Sequence, residues 1–508
     1  MNRKFKIIFT SDTHGHVLPF NYPTNSPENS GLLNIAGQIE KDGDTLVIDG
    51  GDSLQGTPLT QYYLSHEEQY DFHPIAEGFN EMKCDYFTLG NHDFNFGYGE
   101  IKKYLDKMKA KCLCANVIDK RGELKLEKST VHTLSNGLRI GITGVVTDYV
   151  NLWEREENLT ELEVTEPIEA ARQELAKLRE RSDITVCIYH GGFEKDLSTG
   201  KPLADTRENV ACEMCEKLDF DILLTGHQHM SIPSVEIAGT HAVQPADQAK
   251  EYVELEAVEE NGKLNISSEI VKVGNAHEDS LYNRLQPMQA EIQKWLDQTI
   301  GELDEEILPE KKLDCAISGS RVADLFNQVE LEFSRADFAC SSLGNEALGV
   351  PKYISIRDVA HIYPFANTLT IKKVTGQTIK DSLERSAEYL EIKNGKPEIS
   401  DTFLKPKVEH YNYDFWAGLD YEFDLRKPVG ERVVKLLTMN GEPVIMNKVY
   451  TLAANNYRAT GTGGYDAIGK SETKLSSTEE MPDLIIEFLR RHGKIGEIKN
   501  RRFKVIYK

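Results

Sequence analysis

No apolar run in this chain approaches the ~20 residues a membrane-spanning helix needs, so no membrane partner is expected. The N-terminus reads Met1-Asn2-Arg3-Lys4-Phe5-Lys6-Ile7-Ile8-Phe9 and then at once Ser11-Asp12. Its apolar stretch is too short for a signal peptide and has no small-residue cleavage site. Cysteine is scarce: there are eight, and Cys212-x-x-Cys215 has no second CxxC to complete a zinc site. A cytoplasmic protein with reduced thiols is the expectation. Basic residues are outnumbered 59 to 82, for a formal net charge of −23. A phosphate backbone would be repelled, so a nucleic-acid polymer is not an expected partner. A small phosphate substrate remains compatible, because bound metal reverses the local field inside a cleft. The 508 residues are too many for one core, and two or more domains are expected.

Against these absences stands a repeated pattern in the first half. Five apolar runs each end on a potential ligand. Lys6 to Thr10 leads to Asp12 and His14, Thr45 to Ile48 to Gly51-Asp52, and Tyr86 to Leu89 to Gly90-Asn91-His92-Asp93. Ile184 to Ile188 leads to His190, and Ile222 to Thr225 to Gly226-His227-Gln228-His229. Runs without polar alternation read as strands covered on both faces. Ligands in open α/β sheets lie at the carboxyl ends of the strands. Helical spacing over Ile101–Met108 and Pro167–Leu178, with a further strand over Leu138–Val146, completes a layered α/β pattern.

Asp12, His14, Asp52, Asn91, His190, His227 and His229 form an oxygen and nitrogen ligand set with no thiolate. Such a set suits two divalent metal ions of the Zn, Mn, Co, Fe or Ni type. Seven groups exceed one tetrahedral shell and fit two ions that share a bridge, for which Asp52 is the natural carboxylate. Two ions ~3.5–4 Å apart bind a phosphoryl oxygen and activate water. Asp49 precedes two glycines and reads as a support to the site or as a turn residue. His16 and His132 read as surface or packing histidines.

These motifs, D-x-H, G-D-x-x-x-G, G-N-H-D, H-G-G and G-H-x-H, resemble those of the calcineurin-like metallophosphoesterases. Within them the chain is similar to the 5′-nucleotidase and 2′,3′-cyclic-nucleotide 2′-phosphodiesterase (3′-nucleotidase) family. The resemblance implies that one ion is held by Asp12, His14, Asp52 and His229. The other is then held by Asp52, Asn91, His190 and His227. His92 looks like the residue that donates a hydrogen bond or a proton to the leaving oxygen. The 5′-nucleotidases usually place an aspartate three residues after this histidine. Here Asn95 stands there, as it often does in the cyclic-nucleotide branch.

The implied fold class is α/β. It has an N-terminal four-layer α/β metallophosphoesterase domain, a β-sandwich flanked by helices, over residues 1–275. A linker helix follows over 276–305 and a C-terminal α+β nucleotide-binding domain over 306–508. Asp279–Ile300 reads as one long helix containing Pro287, the acidic Glu302–Glu306 as a solvated loop, and Arg321–Phe333 as a surface helix. Ser341-Ser342-Leu343-Gly344-Asn345 follows a strand-like stretch; Asn345 is a substrate-binding candidate, although Glu346-Ala347 follows where many 5′-nucleotidases carry an arginine. Tyr363 to Leu369, which includes Ala366, resembles a family signature. Tyr411-Asn412-Tyr413-Asp414 and Asn455-Asn456-Tyr457-Arg458 resemble the cyclic-nucleotide branch. Tyr457 and one of Tyr411 and Tyr413 are the expected clamp on a nucleobase, with core packing on an alternating strand as the competing reading for either tyrosine of the pair. The family also implies rotation between its two domains.

The expected activity is hydrolysis of 2′,3′-cyclic nucleotides and 3′-nucleotides to nucleoside and phosphate. The alternatives are a 5′-nucleotidase, hydrolysis of another phosphate or sulfur ester, and a non-catalytic metal-binding scaffold. The partner is a small-molecule nucleotide, and the protein is expected to be a monomer or a weak dimer.

Overall fold

Two sheets, of seven and six strands, organise the first half of the chain. In the larger, Arg3–Thr10 lies between antiparallel Glu251–Glu260 and parallel Thr45–Asp49, with Tyr86–Phe87, Lys111–Leu113 and Leu126–Glu127 beyond. The smaller runs Ile232–Ile237, Thr240–Gln244, Ile222–Thr225, Ile184–His190, Arg139–Val146 and Ser129–Thr133. Alternate side chains of both sheets meet in one core. Phe5, Ile7, Phe9, Leu46 and Ile48 come from the first, and Ile140, Ile142, Val186, Ile188, Ile222 and Leu224 from the second. The opposite parity is buried too. Val145, Cys187, Tyr189 and Leu223 pack with Ile168, Ala171, Leu175 and Met214 of the helices Pro167–Arg179 and Ala211–Lys217. Ile8 and Val47, of opposite parity in the first sheet, are likewise buried. The period-2 alternation of a strand thus has an apolar partner on each side, which is why these runs carry no polar beat. Helices thus cover the outer face of the second sheet, and Tyr104 of the helix Gly97–Lys107 meets Phe87 of the first.

The computed structural model describes residues 3–203, 207–260, 263–277, 279–346, 348–365, 367–405 and 408–508. Ala347 and Ala366 fall outside them. The chain divides into two compact units, Met1–Gln293 and Lys294–Lys508. The second unit has a five-stranded sheet in the order Asp414–Ala417, Phe338–Ser342, Val449–Asn455, Thr368–Thr375 and Glu472–Glu480, and two three-stranded sheets. The helices Arg321–Ser334 and Gly376–Ala387 pack with it, an α+β arrangement.

Three local expectations are corrected. The long helix runs Asp279–Leu296, through Pro287, and stops short of Ile300. Thr299–Leu303 is instead a strand paired with Tyr353–Ser355 and Lys494–Ile495, so the acidic run begins inside a sheet. β-Branched Thr299 and Ile300 favour that pairing over a further helical turn. The helix Arg321–Ser334 is buried rather than superficial, Asp324, Asn327 and Glu330 included. Arg501 holds Asp324, with Nε donating to Oδ1 at 2.6 Å, and Asn327 Nδ2 donates to Phe415 O at 3.0 Å. With such partners, Asp324 and Asn327 do not interrupt a core-facing helix, while both carboxylate oxygens of Glu330 are buried without a hydrogen bond among the described residues. All eight cysteines are buried and unpaired. Among the described residues, no helix is long and apolar enough to cross a membrane.

Candidate metal centre

The seven expected ligands converge at the ends of the strands. Two groups of three lie close enough to hold an ion each, Asp12 with His14 and His229, and Asp52 with His190 and His227. His14 Nε2 stands 3.1 Å from His229 Nε2, and His229 Nε2 stands 3.4 Å from Asp12 Oδ1. His190 Nε2 lies 3.2 Å from Asn91 Oδ1 and 3.2 Å from Asp52 Oδ2.

The backbone that delivers these groups is strained. Asp12, His14, Asp52, His227 and His229 all have positive φ, between 47° and 73°. Each such residue costs ~1–3 kcal/mol, and such residues cluster at functional sites. The strain is held by hydrogen bonds. Asp12 N donates to Gly51 O at 2.9 Å, His14 N to Asp52 O at 2.9 Å, and His227 N to both carboxylate oxygens of Asp12 at 3.0 Å. Two glycines are dictated by crowding. A Cβ on Gly90 would lie 2.2 Å from Asp52 Oδ1, and one on Gly226 would lie 2.2 Å from Ser11 Oγ.

The donor set fits cations. His14 Nδ1 donates to Gln55 O at 2.9 Å, and His190 Nδ1 donates to Gly50 O at 2.7 Å. Those bonds leave each Nε2 as a lone pair aimed at other acceptors, and acceptors converging on acceptors call for a cation. The same demand appears as proton affinity. Burial works against a charged His190, yet Asp52 and Asp12 push its pKa up to about 10. Burial also opposes charge on His229, and Asp12 and Asp247 lift it to about 9. Asp52 is raised by burial, but His190 and His92 more than reverse this and hold its carboxyl well below the usual range. Asp12 behaves the same way, held down by His229 and His190.

His92 belongs to the same site, its ring centroid 5.6 Å from that of His14, and its backbone N–H donates to Asp52 Oδ1 at 2.7 Å. Asn95 Nδ2 donates to His92 Nδ1 at 3.0 Å, an amide orientation that assigns the ring proton to Nε2. Burial lowers the His92 pKa to about 4, against the opposing charge of Asp52, so the ring is a neutral donor.

Several residues outside the ligand set support it. Asp93 accepts backbone N–H bonds from Gly90, Asp52, Ser53 and Leu54 at 2.8 to 3.0 Å and so shapes the Asp52 loop. Asp49 accepts from Thr10 Oγ1, Gly51 N and Ser53 Oγ and fixes the adjoining turn. Glu208 and Trp153 meet His227, and Asp247 meets His229. Glu208 and Asp247 sit on irregular segments and Trp153 ends the four-residue helix Val150–Trp153, and none of the three lies in a motif. His16 Nδ1 donates to Thr13 O at 3.0 Å, and His132 Nδ1 pairs with Tyr86 Oη at 2.9 Å, both outside the ligand set.

In the C-terminal unit, Tyr413 is core. Its ring packs with Tyr389 and Phe415, and its hydroxyl donates to Ala316 O at 3.2 Å. The segment His410–Asn412 is a 3-10 turn, not a strand, so Tyr411 and Tyr413 do not share a face. Tyr411 and Tyr457 are half-buried, with ring centroids 6.3 Å apart at 76°. A base between two rings needs them parallel and about 7 Å apart, two ~3.5 Å contacts, so these two do not form a slot. Asn345 is engaged with backbone, Nδ2 donating to Val408 O and Oδ1 accepting from His410 N, each at 3.0 Å. It braces the turn before Tyr411. Arg458 joins the two aromatic segments. Its Nη2 donates to Tyr411 O at 3.1 Å and to the buried Asp414 Oδ1 at 2.9 Å.

Comparison with known proteins agrees with this geometry. The calcineurin-like phosphoesterase family matches residues 5–231, and the 5′-nucleotidase C-terminal domain matches residues 299–470. A crystal structure of a putative 5′-nucleotidase from Staphylococcus aureus is 31% identical, with a TM-score of 0.80, covering 99% of this chain and 100% of that one. The 2′,3′-cyclic-nucleotide 2′-phosphodiesterase/3′-nucleotidase of Salmonella typhimurium is 25% identical over 97% of this chain and 87% of its own length. The trifunctional nucleotide phosphoesterase protein YfkN of Bacillus subtilis is 24% identical over 95% of this chain, which spans 37% of that protein's length. The chain is therefore a member of the calcineurin-like phosphoesterases, hydrolases with a dimetal centre, in the form that carries a 5′-nucleotidase C-terminal domain.

Proposed function

We propose that the protein hydrolyses 2′,3′-cyclic nucleotides at the 2′ oxygen and then removes the 3′ phosphate, releasing nucleoside. The observation that carries this reading is the Asn95 amide on His92 Nδ1, where the 5′-nucleotidase branch usually carries a carboxylate. An asparagine sets the ring without stabilising an imidazolium. His92 therefore acts through a fixed Nε2–H, as a hydrogen-bond donor to the departing oxygen.

Asp12, His14, Asp52 and His229 would hold one divalent ion, and Asp52, Asn91, His190 and His227 the other. Zn, Mn, Co, Fe or Ni would each suit the set. Bound there, the pair supplies Lewis acidity to the phosphoryl group and acidity to water. The protein's own groups do the rest. The strained turns fix five of the seven donors before substrate arrives, so little reorganisation is left for the reaction. Water attacks phosphorus in line with the P–O2′ bond while His92 Nε2–H meets the 2′ oxygen as that bond breaks. A second hydrolysis breaks P–O3′. Tyr457 offers its ring face to the base, worth ~1–3 kcal/mol by stacking, and Tyr411 supports Tyr457 edge-on.

A second reading, a 5′-nucleotidase, is favoured by the 31% identity to a structure described as a putative 5′-nucleotidase. Rates on 2′,3′-cyclic AMP, 3′-AMP, 5′-AMP and an aryl phosphate separate the two. The first reading requires the highest kcat/KM on the cyclic substrate, with 3′-AMP second. A preference for 5′-AMP replaces it with the second.

A further inference from the structure

The two histidines of the Gly226-His227-Gln228-His229 turn each meet a carboxylate that belongs to none of the five motifs. His227 Nε2 lies 2.9 Å from Glu208 Oε1, and His229 Nδ1 lies 3.5 Å from Asp247 Oδ2. An imidazole has two nitrogens, so the outer contact decides which one faces inward. With Nε2 engaged by Glu208, His227 has Nδ1 left for Asp52 and His190. His229 is turned the other way, with Nε2 directed at Asp12 and His14 and Nδ1 at Asp247. Neighbouring histidines in one turn thus present different atoms to different halves of the site.

Glu208 is built into place. Its carbonyl accepts from Thr147 Oγ1 at 2.8 Å and from Tyr189 Oη at 3.5 Å. On either side of it, Arg207 N donates to Tyr149 Oη at 3.0 Å, and Asn209 Oδ1 accepts from Gly192 N at 2.6 Å. Trp153 lies along the His227 ring, with centroids 5.5 Å apart and planes 21° from parallel. The ring is therefore held at its edge by a carboxylate and on its face by an indole.

We propose that Glu208, with Trp153 behind the ring, is a positioning residue that fixes His227 as an Nδ1 ligand and sets the affinity of the ion at Asp52, Asn91, His190 and His227. Asp247 does the same for the ion at Asp12, His14 and His229. The inference rests on the dimetal reading of the site. Carboxylates that orient ligating histidines are worth about 10–100-fold in metal affinity.

The test is Mn²⁺ binding to chelator-stripped full-length protein, with free Mn²⁺ read by electron paramagnetic resonance. Wild type binds two ions per chain. Glu208→Gln lowers the affinity of one by about 10-fold and leaves the other unchanged, and Glu208→Ala lowers the same one by up to about 100-fold. The double variant Glu208→Gln/Asp247→Asn weakens both. Thermal unfolding of the stripped Glu208→Gln protein matches wild type, which separates positioning from a general loss of structure. Two ions in wild type with unchanged affinities in both Glu208 variants overturns the inference and leaves the dimetal reading standing. Fewer than two ions in wild type overturns both.

Discussion

The candidate metal-binding rim of the N-terminal unit and the aromatic segment of the C-terminal unit present side chains in contrasting ways. On the rim, each ligand follows a buried strand within a few residues, and five of the seven sit in left-handed turns locked by backbone hydrogen bonds. In the aromatic segment, Tyr457 rides on a four-residue helix, Asn456–Ala459, and Tyr411 on a 3-10 turn. One buried arginine, Arg458, ties the two together. Rigid delivery suits chemistry, where small displacements of a reacting group are costly. Short elements with half-exposed rings suit recognition of a flat base, where any π-face serves. Substitutions on the rim are therefore expected to act on turnover, and substitutions in the aromatic segment on substrate affinity or on stability alone.

The largest effect should come from the carboxylate shared by both halves of the rim. Asp52→Asn is expected to lose ~10³-fold or more in kcat, at or beyond the upper end for a single electrostatic group. Metal analysis of the same variant should find fewer than two ions per chain. Retention of both ions would remove Asp52 from the bridging role.

His92→Ala comes next, with ~10²–10³-fold lost from kcat and two ions retained. Loss of metal from this variant would make His92 a ligand and blur the distinction between holding ions and meeting substrate. In the aromatic segment, Tyr457→Ala should raise KM about tenfold with kcat unchanged, consistent with ~1–3 kcal/mol of stacking. A fall in kcat with KM unchanged would break the contrast between the two regions.

The smallest effect is expected at Tyr413→Phe. Steady-state constants should stay at wild-type values while chemical denaturation reports about 1 kcal/mol less stability, from the lost hydrogen bond to Ala316 O. A raised KM would return Tyr413 to the substrate site.

The contrast also governs what could be read from the chain. The rim was legible because its ligands sit at fixed short distances after apolar runs, a pattern that survives in one dimension. Asp12, Asp52, Asn91 and His227 follow a strand by two to four residues, and His190 is the last residue of one. Glu208, Asp247 and Trp153 were not legible, because two irregular loops and a four-residue helix bring them in with no period to mark them. Which ring of the pair Tyr411 and Tyr413 is core stayed open for a related reason. Alternation over Tyr411-Asn412-Tyr413 presumes a strand, and the 3-10 turn at His410–Asn412 breaks the period before the strand begins at Asp414. The helix Arg321–Ser334 read as superficial because Asp324 looks solvated until Arg501, far along the chain, is seen to pair with it.

The direct test of the account is an anomalous-diffraction map of crystals soaked in Mn²⁺ and a non-hydrolysable nucleotide. The account predicts two peaks ~3.5–4 Å apart, with Asp52 touching both and a phosphoryl oxygen facing them. A single peak, or two peaks in separate places without Asp52 between them, would contradict it.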